Sequence, residues 1–87
     1  MDYPHLMESS IKFAKIEGHA SAREVLARNI RSLRAAHGWS QEALALEAGL
    51  HRTFVAHVER GARNISLSNI ERIAIALQVP VSRLFET

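Results

Sequence analysis

An all-α fold is the economical reading of this chain, and three observations carry it. Ala, Leu, Ile, Arg and Glu dominate the composition. Four Gly and two Pro are too few to punctuate an all-β fold. Apolar residues also recur at helical spacing, in segments bounded by serine caps and glycine or proline stops. Eighty-seven residues suffice for one small domain with a single modest core, too small for an active-site cleft between domains.

Taken in order, the first twenty residues are the least readable. LMESSIKFAKIE carries Leu6, Met7, Ile11, Phe13 and Ala14, but Gly18 would end a helix there. The stretch is either a docked extra helix or an arm, so the domain proper is expected over 21–87. Ser21-Ala22-Arg23-Glu24 has the form of a capping box. The helix it opens places Leu26, Ile30 and Leu33 on one face and stops at Gly38. Ser40 caps a second helix, with Glu42 well placed for the helix dipole, Leu44, Ala45 and Ala48 inward, and Gly49 as its stop. A third runs from about Arg52 to Arg60 with Val55 and Val58 inward, closed by Gly61. Ser66 caps a fourth, in which Leu67, Ile70, Ile73, Ala74 and Leu77 recur; Pro80 then forces a break after Val79. VSRLFE is long enough for one short final helix.

The interruption at Gly49 is the most informative feature. Two short helices joined by a tight turn and crossing at roughly 90–120° form a helix-turn-helix. The crossing point requires a small side chain, and Ala45 stands there. The turn requires a left-handed residue, which Gly49 supplies at no steric cost. The sealing positions must be apolar, and Leu44, Ala48, Leu50, Val55 and Val58 all are. With the valines turned inward, the third helix presents Arg52, Thr53, Ala56, His57 and Arg60 outward, with His51 at its start. In this motif that face enters the DNA major groove, N-terminal end first. Arg52 has the fork to span O6 and N7 of guanine. Thr53 suits a phosphate or a thymine methyl, Ala56 keeps the helix close to the bases, and His57 can donate to guanine or to a phosphate.

The charge distribution agrees. Net charge is +2, but residues 28–63 hold six arginines against three glutamates, a local excess of +3 made entirely of the side chain suited to phosphate and guanine. Other classes find no support. The absence of cysteine excludes disulfides and thiolate metal sites, and favours a reducing, cytoplasmic compartment. His51 and His57 do not share a helix face as an i, i+4 pair would, so no metal and no cofactor is expected. Ser40 and Ser66 are caps without an activating base, and Trp39 reads as a lid over the core. No paired carboxylate or phosphate-cradling loop argues for an enzyme. No apolar run approaches the roughly 18 residues of a membrane span, and MDYPHLMESS lacks the features of a secretory leader.

The runs IRSLRAAHGWSQEALALEAGL, VERG and NIERIAIALQVPVSRLF resemble the Cro/cI-like, or XRE, helix-turn-helix family, over roughly Leu26 to Phe85. Within it, HRTFVAHVERGARNISLSNIERIA looks most like the small controller proteins of restriction–modification systems. The resemblance implies a five-helix, lambda-repressor-like domain that regulates transcription. It also implies that Gln41 touches a phosphate or assists a base contact, and that Arg63 and Asn64 anchor the DNA backbone. Arg34 and Glu59 are implied to form a partly buried ion pair, which makes Glu59 scaffold and not a catalytic acid. Two departures stand out: His51 replaces the usual small polar cap, and Pro80 replaces a Ser or Thr.

One such domain buries too little DNA surface to be both tight and selective. A homodimer on a palindromic operator of double-stranded DNA is therefore expected. Ile75 lies off the inner stripe of its helix, and with Val81, Leu84 and Phe85 it is the candidate dimer face; the alternative is that these residues are covered by the N-terminal segment. The rival functional reading is the antitoxin of a toxin–antitoxin pair, its first twenty residues engaging the toxin and its DNA binding serving autoregulation.

Overall fold

The computed structural model describes residues 20–87, so the extra helix or arm expected over residues 1–20 lies, except for Ala20, outside the described residues. Four α-helices follow one another: α1 (Ala22–Ala36), α2 (Gln41–Ala48), α3 (Arg52–Glu59) and α4 (Leu67–Leu77). The fifth element, Val81–Phe85, is a 3₁₀ helix, a form suited to so short a run. There is no strand among the described residues.

Each start is set locally. Ser21, Ser40 and Ser66 have extended backbones, and their hydroxyls accept from the N–H groups of Glu24, Ala43 and Asn69 at 3.1, 3.0 and 3.1 Å. A cap of this kind contributes about 1 kcal/mol. The ends of α2 and α4 share one device. Gly49 (φ 69°) and Gln78 (φ 62°) are both left-handed. After each, the next N–H reaches back five residues, Leu50 to the Ala45 carbonyl and Val79 to that of Ala74. Glycine adopts this backbone freely, whereas glutamine pays about 1–2 kcal/mol. Pro80 supplies the reason: it bars Val79 from helical geometry, so α4 ends at Leu77, two residues before the break expected at Val79.

Leu26 and Ile30 of α1, Leu44, Ala45 and Ala48 of α2, Val55 and Val58 of α3, and Ile70, Ile73, Ala74 and Leu77 of α4 meet in one core. Two expectations are corrected here. Leu67, placed on the inner stripe of α4, is exposed, because the first residue of the helix stands beyond the edge of the core. Leu84, placed on the dimer face, is fully buried. The 3₁₀ helix packs against α1 and turns one side inward, which Leu84 fills while Val81 and Phe85 remain at its margins. A polar residue also enters the interior. Asn29 of α1 is buried and its amide nitrogen donates to the carbonyls of Leu84 and Glu86, each at 2.9 Å.

Candidate nucleic-acid interface

The packing of α2 and α3 decides which side chains face outward. Ala45 is buried beside Leu44 and Ala48, where a methyl lets the two helix axes approach, and Gly49 turns the chain. Val55 and Val58 are buried, and Leu50 and Phe54 lean half-buried against the core. What remains outside is a short cationic surface. His51, Arg52, Thr53 and Arg60 are exposed, and Ala56 and His57 are half-buried. His51 stands at the N-cap of α3 without a capping side-chain bond, so the positive end of that helix dipole opens beside Arg52 and Thr53.

Arg52 lies 3.9 Å from the Glu42 carboxylate of α2, with both side chains largely in solvent. In the loop before α4, Arg63 and Asn64 are exposed, and the Arg63 guanidinium stands 5.6 Å from the centre of the Phe54 ring. A cation–π contact at an exposed position contributes about 0.5–1 kcal/mol. It tethers a loop cation to the outward helix, a role for Phe54 that an aromatic followed nine residues later by Arg does not advertise.

Beneath this surface lies a denser polar cluster. The carboxylate of Glu59, 2% exposed, accepts from Arg34 Nε at 2.7 Å and Nη2 at 3.0 Å, and from Gln41 Nε2 at 3.0 Å. Arg34 also donates to the Trp39 carbonyl at 2.9 Å, and Arg31 donates to the backbone carbonyl of Glu59. The bonds to Glu59, reinforced by its charge against a smaller desolvation penalty, raise the Arg34 pKa above its ordinary value. A group raised in this way adds stability that is lost only as pH climbs through its own high pKa, so this contribution is complete throughout the neutral range. Gln41, expected to touch a DNA phosphate or assist a base contact, has its amide nitrogen engaged by the protein itself. Arg31 was not singled out from the sequence, although it shares the α1 face of Arg34, three residues away.

Trp39 is half-buried against the core, stacked on His37 with ring centres 4.3 Å apart. His37 Nε2 lies 2.9 Å from the Leu77 carbonyl, a contact in which it must donate, and so links the ends of α1 and α4. On the C-terminal side, Ile75 is 76% exposed and Val81 and Phe85 are partly so.

Residues 30–84 match the family described as helix-turn-helix. The chain therefore belongs to the helix-turn-helix transcription regulators of the Cro/cI-like, or XRE, type, which bind DNA. It is 47% identical over 62 residues to the control protein C.SmaI of Serratia marcescens, covering 71% of this chain and 74% of that one. It is 49% identical over 71 residues to a hypothetical transcription factor of Neisseria meningitidis, covering 82% and 67%. Among solved structures, the restriction–modification controller protein C.AhdI of Aeromonas hydrophila superposes with a TM-score of 0.71 at 46% identity, covering 72% of this chain and 96% of that one. No helix among the described residues is long and apolar enough to cross a membrane.

Proposed function

We propose that this chain is a homodimeric, sequence-specific regulator of transcription that reads a palindromic operator with half-sites about one helical turn apart. The observation that carries the reading is the outward face of α3, where Arg52 and Thr53 stand exposed at the open N-terminal end of a helix. Arg52 reads a guanine edge, Thr53 and His57 meet a base or a phosphate, and Ala56 permits close approach. Arg60, Arg63, Asn64 and His51 lie around this centre as phosphate contacts. Gln41 serves from the rim of the Glu59 cluster. Similarity to the named controller proteins supports a regulator that represses, activates or does both according to where its operator lies.

The dimer face comprises Ile75, Val81 and Phe85. Substituting lysine for Ile75 is expected to leave the fold intact and to shift the sedimentation coefficient from dimer to monomer. An unchanged dimer would remove this face from the account. Base reading is tested by Arg52→Ala, titrated against an operator and its single-base variants. The expected loss is about 1–3 kcal/mol on the parent sequence, with selectivity relaxed at one base pair; equal losses on every sequence would reduce Arg52 to a phosphate contact.

A further inference from the structure

Asn29 is the one buried polar residue besides Glu59 among the described residues, and nothing in DNA contact or core packing requires it. Its amide nitrogen has two N–H bonds, and both are used, on the carbonyls of Leu84 and Glu86. Those carbonyls belong to the segment that carries Val81 and Phe85. Beyond these bonds the segment is held by packing against α1 and α4. Leu84 is its single buried side chain. Phe85 lines a groove of about 340 Å³ with Leu26, Ile65 and Ile70, and the Arg83–Glu86 pair, at 3.6 Å, lies at the surface.

The position of Asn29 on α1 gives those two bonds a second meaning. Two residues on, Arg31 holds the last carbonyl of α3, and five residues on, Arg34 holds its buried carboxylate. The anchor of the C-terminal segment and the anchors of the outward helix are thus separated by five residues of one helix, about 8 Å of rigid rod.

We infer that Asn29 is a positioning residue that sets the spacing between operator half-sites, by fixing the C-terminal dimer face relative to α3 through α1. This rests on the homodimer reading proposed above. One base pair advances a half-site by about 3.4 Å, so a C-terminal segment that slides by that distance blurs the spacing by one step.

The experiment begins with the full chain selecting its operator from a pool of random duplexes. Affinities are then measured for a single half-site, for the selected palindrome, and for palindromes lengthened or shortened by one and two base pairs. Asn29→Ala, and a chain ended at Phe85 that removes the Glu86 acceptor together with the surface Arg83–Glu86 pair, are compared with the parent. Both variants are expected to keep half-site affinity. Asn29→Ala is expected to lose about tenfold in discrimination between spacings, in keeping with the bonds removed, and the shortened chain a smaller amount. Parent-like discrimination in both variants overturns the proposal alone, as does an equal loss on half-site and palindrome, which marks a general loss of scaffold. If Asn29→Ala fails to fold, the shortened chain decides. A parent that selects no palindrome and ignores spacing overturns the dimer reading itself, and this proposal with it.

Discussion

The two sides of α3 each hold an arginine–glutamate pair, built from the same chemistry to opposite ends. On the inner side Arg34 grips Glu59 through two bonds, at 2.7 and 3.0 Å, with side chains 21% and 2% exposed. On the outer side Arg52 stands 3.9 Å from Glu42, with 68% and 76% exposed. Water decides the difference. A desolvated pair is unforgiving, because removing one charge strands the other. A solvated pair is screened and costs little to part. The inner arginine is thereby committed to fixing the angle of the helix, and the outer one remains free to exchange a carboxylate for a base or a phosphate.

The sharpest way to break this contrast is Arg34→Ala. It is expected to cost about 3–5 kcal/mol of folding stability, read as a fall in the urea midpoint, whereas Arg34→Met with Glu59→Leu recovers most of it. A single variant as stable as the parent would put the inner pair on the same footing as the outer. Arg52→Ala probes the other side. It should leave the midpoint unmoved while operator affinity falls as described above, so stability and binding separate between the two arginines. Gly49→Ala tests the turn that lies between them. A Cβ there would meet only the Arg72 guanidinium at 3.4 Å, so the cost is that of a left-handed alanine, about 1–2 kcal/mol of stability. Substantially less would show the turn able to relax. The smallest effect belongs to Glu42→Ala, at most about 1 kcal/mol of stability; a loss comparable to that of Arg34→Ala would erase the distinction.

Much of the fold was legible because its signals are local. A serine hydroxyl that caps a helix bonds three residues on, a left-handed glycine answers to its own backbone, and a 3.6-residue repeat needs only neighbours in the chain. Ser21, Ser40, Ser66 and Gly49 belong to this class. The turn at Gln78 is not legible because glutamine carries no left-handed preference; Pro80, two residues later, imposes it. Leu67 and Leu84 were misplaced for a related reason. A hydrophobic repeat tells which residues share a helix face but not where the core stops, and here it stops short of Leu67 and extends to Leu84.

For the site, the composition and order of α3 are enough to indicate the cationic outer face. The Arg34–Glu59 partnership came from the family pattern, since twenty-five residues separate the two. Arg31, Asn29 and Phe54 carried no comparable signal. Arg31 and Asn29 act on carbonyls distant in the chain, and Phe54 on the guanidinium of a loop arginine, and where those partners lie follows from how the helices dock.

By itself, then, the amino-acid order determined the helices, their caps, the bend at Gly49 and the identity of the side chains left facing out, because each is settled within a few residues of chain. Only the docked helices decided that Gln41 would turn to Glu59, that Leu84 would be interior, and that one short stretch of α1 would grasp both the C-terminal segment and the outward helix. Those outcomes depend on which groups lose their water together, and that is a property of the assembled core.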